Sequence, residues 1–61
     1  MISRKDVFFS YEYFPIDWNE ALKLSRKLNL KYIDFNGYIF STEESSLDYN
    51  NYICTREDLI D

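Results

Sequence analysis

The first run of apolar positions along the chain covers residues 6–14 and is rich in β-branched and aromatic side chains. Such a composition favours a β-strand. Pro15 follows directly, and its nitrogen cannot donate a hydrogen bond to a neighbouring strand. We therefore predict a strand over residues 6–14 that ends at the proline.

The next apolar positions recur every three or four residues, which is the period of an amphipathic helix. This period runs through residues 18–28. Asp17 precedes it and Glu20 lies three residues later, which is the spacing of a capping box at the start of a helix. Asn29 can adopt the left-handed backbone conformation that closes a helix. The pattern predicts a helix over residues 17–29.

The dipeptide Asn36–Gly37 separates two runs of strand-favouring residues and is a strong signal of a β-hairpin. Both of its residues tolerate the positive φ of a type I′ turn. We predict strands over residues 30–35 and 38–42, with Phe35 opposite Tyr38.

This register divides the hairpin residues between two faces. One face is apolar and is assigned to the core: Ile33, Phe35, Tyr38 and Phe40. The other is mixed and is expected to be partly in contact with solvent: Leu30, Tyr32, Asp34, Ile39 and Ser41.

The chain after the hairpin is polar and acidic over residues 43–51, which predicts a loop. A short strand over residues 52–54 is a further candidate. Thr55 and Asp58 repeat the capping-box spacing and predict a terminal helical turn. The order of elements indicates a single α+β domain over residues 1–61, with the helix packed on one face of a mostly antiparallel sheet.

Composition restricts the classes of function. The chain has 61 residues, 46% of them apolar and 30% charged, with no His and a single Cys. These counts exclude a His-based triad, a Cys/His zinc site and an internal disulfide. The lone Cys54 fits a reducing cytoplasm, and no secretory signal or membrane span is expected.

Candidate catalytic chemistry is sparse. Without His the usual general base is missing. Cys54 lies in a predicted strand and is expected to be a small buried residue rather than a nucleophile. A calcium loop beginning at Asp48 would lack both its central Gly and its closing Glu. We expect no catalytic residue, no metal and no cofactor, so the chain is not predicted to be an enzyme.

The charges are unevenly distributed along the chain. Residues 1–31 hold six basic and four acidic residues, whereas residues 32–61 hold one basic and seven acidic residues. Carboxylates mixed with aromatic side chains provide electrostatic steering together with apolar anchors at protein interfaces. The hypothesis that follows is an acidic, tyrosine-bearing partner-binding rim composed of Asp34, Glu43, Glu44, Asp48, Tyr49 and Tyr52.

A protein-binding module is therefore the predicted function, and the expected partner is a larger protein with a basic surface, such as a nuclease or a polymerase. We expect the module to act as an inhibitor or adaptor of that enzyme, of the phage or mobile-element type. Mimicry of nucleic acid is a sharper version of this prediction, and the modest net charge of −4 favours the broader one. One alternative is an assembly subunit that self-associates through a sheet edge. Another is a nucleic-acid-binding regulator that uses Lys23, Arg26 and Lys27, although the pI near 4.6 disfavours direct contact with phosphates.

Overall fold

The turn at Asn36–Gly37 forms as predicted and sets the register of the sheet. Its two residues have φ values of 55° and 88°, as a type I′ turn requires. In the computed structural model, which describes residues 1–61, the turn joins β2 (Tyr32–Phe35) to β3 (Tyr38–Ser41). Phe35 lies opposite Tyr38, which confirms the predicted pairing.

The sheet has four strands in the order β1-β2-β3-β4 and is mixed. β1 (Val7–Phe9) is parallel to β2, and the helix α1 (Trp18–Lys27) lies in the connection between them. β4 (Cys54–Thr55) is antiparallel to β3. One helix on a four-stranded sheet confirms the predicted α+β class, and two of the three strand pairings are antiparallel.

The predicted signals delimit the helix, although its last turn is shorter than expected. The carboxylate of Asp17 accepts a hydrogen bond from the backbone N–H of Glu20 at 2.8 Å, and Asn29 has a φ of 59°. Because α1 ends at Lys27, Leu28 leaves the apolar side of the helix and is half-exposed. At ten residues, α1 is too short to cross a bilayer, and no other helix of the protein has the length and apolar character for it.

The core lies between α1 and the sheet. Trp18 is its largest member, and its indole ring meets the rings of Phe35 and Phe40 edge-on, with centroids 5.5 and 5.3 Å apart. Aromatic rings prefer such an edge-to-face arrangement to a flat stack. The buried cluster consists of Phe8, Trp18, Ala21, Leu22, Ile33 and Phe40.

The predicted strand over residues 6–14 is too long. Only Val7–Phe9 is a strand, and the chain continues as a 3₁₀ turn over Ser10–Tyr13. The physical reason is that Phe9 already pairs with Asp34, close to the end of β2, so little strand remains beyond it to pair with. The hydroxyl of Ser10 instead donates a hydrogen bond to the carbonyl oxygen of Asp34 at 2.6 Å.

The other strand boundaries also shift. The strands predicted over residues 30–35 and 38–42 are shorter in the structure, and the one predicted over residues 52–54 forms at Cys54–Thr55. There the backbone N–H of Arg56 donates to the carbonyl oxygen of Gly37 at 2.9 Å, which fastens this end of β4 to the hairpin turn.

The second face of the sheet, opposite α1, is partly exposed at Tyr32 and Ser41, as predicted, but is closed at its centre. Asp34 and Ile39 were expected to contact solvent in part, but both are 0% exposed. Ser10 and Arg56, which come from opposite parts of the chain, both contact Asp34. The backbone N–H of Arg4 donates to the carbonyl oxygen of Ile60 at 2.6 Å and joins the two end segments. The mixed composition of this face therefore reflects an internal polar contact.

That contact is an ion pair between Asp34 and Arg56. The Nε and Nη2 groups of Arg56 donate to the two carboxylate oxygens of Asp34 at 2.6 and 3.0 Å. The same carboxylate accepts a hydrogen bond from the backbone N–H of Gly37 at 3.2 Å. The guanidinium also lies 4.8 Å from the centre of the Tyr11 ring, which favours a cation there. One buried carboxylate thus connects β2, the hairpin turn and the C-terminal segment.

We predict that Asp34→Ala lowers the free energy of unfolding by about 2–4 kcal/mol, because Arg56 and Gly37 lose their acceptor. The total free energy of unfolding of a domain of this length is about 3–9 kcal/mol. Urea unfolding followed by circular dichroism measures the change. Glu43→Ala, at an exposed carboxylate, serves as the control and should stay within about 0.5 kcal/mol of the parent protein. Equal stability of the two variants would contradict the structural role of Asp34.

Candidate tyrosine-cluster interface

Three half-exposed tyrosines form a contiguous cluster beside the helix. The ring of Tyr38 meets the rings of Tyr49 and Tyr52 edge-on, with centroids 5.5 and 5.2 Å apart. The exposed fractions of Tyr38, Tyr49 and Tyr52 are 39%, 42% and 46%. We call these three residues the tyrosine cluster. Each presents one part of its ring to the protein and another part to solvent.

The hairpin and the following loop bring these tyrosines together. Tyr38 is the first residue of β3, directly after the turn. Tyr49 begins a 3₁₀ turn, Tyr49–Asn51, whose N-terminal cap is Asp48. The Asp48 carboxylate accepts a hydrogen bond from the backbone N–H of Asn50 at 2.9 Å, which orients this turn.

Tyr49 is fixed at both ends of its side chain. Its ring packs edge-on against the buried Phe40, with centroids 5.7 Å apart. Its hydroxyl oxygen accepts a hydrogen bond from the side-chain amide of Asn36 at 2.6 Å. The turn residue Asn36 therefore has two roles, because it also supplies the positive φ of the hairpin. The cluster is held in place before any partner binds, which reduces the entropy lost on association.

Arg26 of α1 holds the start of the loop that carries Tyr49. Its Nε donates to the carbonyl oxygen of Thr42 at 2.7 Å, and its Nη2 donates to that of Glu44 at 3.2 Å. Leu47, further along the loop, packs against the core cluster. This part of the predicted basic helix face therefore also has a structural role, in positioning the loop.

The structure does not assemble the predicted acidic rim. Asp34 is fully buried in its ion pair on the second face and has no exposed carboxylate to offer. Glu43 and Glu44 follow the far end of β3, whereas Tyr38 stands at its near end, roughly 10 Å away along the strand. Of the four predicted carboxylates, Asp48 alone directly precedes a tyrosine of the cluster along the chain.

The surroundings of Glu43 are also more basic than expected. An open polar groove at that end of the sheet is lined by Glu43 together with Arg26 and Lys31. Opposite charges in this groove offset one another, so it has no uniform negative potential. Asp48, Tyr49 and Tyr52 remain together from the predicted site, and the structure adds Tyr38 and Asn36 to them. The Asn36–Gly37 register correctly predicts Tyr38 as the first residue after the turn, but the predicted core position of its side chain is wrong, since 39% of Tyr38 is exposed.

Cys54 lies in β4 and is half-buried. Burial raises the pKa of the Cys54 thiol above its ordinary value, and the negative charge of Asp58 adds to this effect, while the amino group of Met1 opposes it. A raised pKa leaves less of the nucleophilic thiolate at neutral pH. Across the chain, no group of three or more His, Cys, Asp and Glu side chains is placed to hold a metal ion.

We predict that the pH midpoint for alkylation of Cys54 by iodoacetamide is higher in the folded protein than in the urea-unfolded chain. The folded state favours the neutral thiol, so the stability contributed by this group falls as the pH rises past the thiol pKa of the unfolded chain. Mass spectrometry of timed reactions gives both profiles. A lower pH midpoint in the folded protein would mean that folding makes the Cys54 thiol more nucleophilic, contrary to the prediction.

A second prediction concerns the anchoring of the tyrosine cluster. Tyr49→Phe removes the hydrogen bond from Asn36 and should lower the free energy of unfolding by about 0.5–1.5 kcal/mol. Tyr52→Phe is the matched control, because its hydroxyl has no hydrogen-bond partner in the protein and its loss should leave stability unchanged. Urea unfolding of both variants measures the difference. Equal effects would show that the bond between Asn36 and Tyr49 does not hold the cluster.

Comparison of the chain with known protein families, with curated protein sequences and with solved structures finds no match. Half-exposed, packed tyrosines combine apolar area with hydroxyl groups for hydrogen bonds, which suits contact with another protein.

Proposed function

We propose that this protein is a small protein-binding module that uses the tyrosine cluster as its contact surface and acts on a larger partner as an inhibitor or adaptor. The observation that carries the proposal is the packing of Tyr38, Tyr49 and Tyr52 into one half-exposed group. Tyrosine is enriched among the residues that contribute most to binding energy at protein interfaces.

The anchoring of the cluster supports a role in binding rather than in folding alone. Tyr49 is held by Asn36 and Phe40, yet 42% of it remains exposed. Tyr52 makes its ring contact with Tyr38 and presents its hydroxyl without a partner in the protein. A pre-ordered surface with free hydroxyls can bind a partner at a small entropic cost.

The partner that we propose is a larger protein with a basic surface, such as a nuclease or a polymerase. The formal net charge of −4 favours encounter with such a surface over long distances. The carboxylates are dispersed, with Asp34 buried and Glu43 near Arg26, so they do not form the row that mimicry of nucleic acid requires. Charge therefore serves to steer the encounter, and the tyrosines serve to hold the complex.

The proposal is tested with a tagged copy of the protein added to a lysate of its source cells, with retained proteins identified by mass spectrometry. We expect a nucleic-acid-processing enzyme to be retained through a high-salt wash, because aromatic contacts are not screened by salt. The double variant Tyr38→Ser/Tyr52→Ser should lose this enzyme. Leu28→Ser, which removes a half-exposed apolar side chain at the far end of the helix, is the control and should retain it.

The activity of the retained enzyme, measured with increasing amounts of the protein, then distinguishes an inhibitor from an adaptor. Charge reversal at Glu43 and Glu44 should slow association without abolishing the complex. Retention of the same enzyme by the folded tyrosine double variant would disprove the proposed surface. If salt released the enzyme from the parent protein, the carboxylates rather than the tyrosine cluster would hold the complex.

A further inference from the structure

Residues near the two ends of the chain form an apolar groove on the other side of β4. The groove is open and has a volume of about 580 Å³. Cys54 lines it and pairs with Ile39 of the second face, whereas Tyr38 pairs with Thr55 on the helix face. At Cys54 the groove therefore lies on the opposite face of β4 from Tyr38, and Ile53 borders Tyr52 of the tyrosine cluster along the chain. Its apolar walls come from Ile2, Ile53, Leu59 and Ile60.

Two of these side chains are unusually exposed for aliphatic residues that share one surface. Ile53 is 50% exposed and Ile60 is 42% exposed. Single exposed apolar residues are common on any protein, but several that line the same groove mark a site of interaction. The exposure of Ile53 and Ile60 to water has an unfavourable free energy, which a bound partner would remove by covering them.

Backbone hydrogen bonds join the walls of the groove. The N–H of Ile60 donates to the carbonyl oxygen of Ile2 at 2.9 Å, and the N–H of Arg4 donates to the carbonyl oxygen of Ile60 at 2.6 Å. The 3₁₀ turn Arg56–Asp58 beside it is closed by a capping box between Thr55 and Asp58. The shape of the groove therefore exists without a ligand.

The rim of the groove is acidic. Glu57 and Asp58 line it, and no Lys or Arg side chain does. The amino group of Met1 lowers the pKa of the Cys54 thiol, but the opposing effect of the Asp58 carboxylate on that pKa is larger. An occupant must therefore combine apolar side chains with positive charge.

These features distinguish among the possible occupants. A second copy of the chain, related by a two-fold axis, would bring the same acidic rim to both sides of the interface. β4, at only two residues, also offers little edge for strand pairing. An anionic lipid surface would be repelled by Glu57 and Asp58. A basic amphipathic segment of another protein satisfies both the apolar walls and the acidic rim.

We infer that this groove is a second docking site, which binds a basic amphipathic segment of a partner protein. Apolar side chains of the segment pack on Ile53 and Ile60, and its Lys or Arg side chains pair with Glu57 and Asp58. Because Cys54 in the groove and Tyr38 in the cluster lie on opposite faces of the sheet, the protein can hold two partner surfaces at once, as an adaptor does.

The test uses the whole ¹⁵N-labelled chain and a synthetic amphipathic peptide of leucine and lysine, followed by NMR. Backbone signals of Ile53 and of residues 57–60 should shift and saturate. The same peptide with glutamate in place of lysine should cause no shift. Absence of shifts, or shifts confined to the tyrosine cluster, would overturn the inference.

Two variants and their controls measure how much the apolar contact and the charge pair each contribute to binding. Ile53→Ser should weaken binding of the leucine–lysine peptide about tenfold or more, since a buried aliphatic contact is lost. Glu57→Gln should weaken it about threefold and reduce its salt dependence. Leu28→Ser and Glu12→Gln, equivalent changes elsewhere on the surface, should leave it unchanged. Equal effects of Glu57→Gln and Glu12→Gln would show that only the net charge attracts the peptide.

A separate measurement addresses the second copy. Sedimentation of the parent protein at increasing concentration should show a constant mass. A concentration-dependent dimer that Ile53→Ser abolishes would overturn the inference, because the groove would then be an interface between two copies of the chain.

Discussion

The ion pair between Asp34 and Arg56 is the interaction on which the rest of the structure depends. It joins the central strand β2 to the segment after β4, and its carboxylate also holds the hairpin turn through Gly37. A buried carboxylate without a partner is costly, so the chain must bring Arg56 across the sheet to fold. Because 40% of the Arg56 side chain is exposed, the guanidinium keeps part of its hydration while it neutralises a fully buried group. This arrangement lowers the desolvation cost of the pair.

The ion pair also explains how so short a chain covers both faces of a sheet. A domain of about 60 residues buries only about 60% of the surface of its unfolded chain, and here α1 is the only long helix. The second face is closed instead by irregular segments from the two ends, with Tyr11 stacked on Arg56 and Ser10 bonded to Asp34. These polar and aromatic contacts replace a second layer of helices.

Because the chain has so few residues to cover the sheet, two of its surfaces keep half-exposed aromatic or aliphatic side chains. On the helix face, α1 and the loop after β3 leave the tyrosine cluster half-exposed, and across β4 the joined chain ends leave Ile53 and Ile60 half-exposed. Each surface is ordered by hydrogen bonds that lie behind it, from Asn36 in the first case and from Ile2 and Arg4 in the second. Binding at either site would therefore require little rearrangement, which is the property expected of a module that works by contact.

Local signals in the sequence determined the elements of this protein. The capping residues Asp17 and Asn29 delimit the helix, and Asn36–Gly37 sets the hairpin register, because each of these features depends on residues within one turn of the chain. What depends on distant residues was decided by the tertiary structure. The strand at residues 6–14 stops at Phe9 because its neighbour β2 turns away. Asp34 is not part of an acidic surface because its carboxylate is buried in an ion pair with Arg56, which lies 22 residues later in the chain. Charge along a sequence indicates composition, but only the fold decides which carboxylates meet a cation, which meet water and which stand beside a tyrosine.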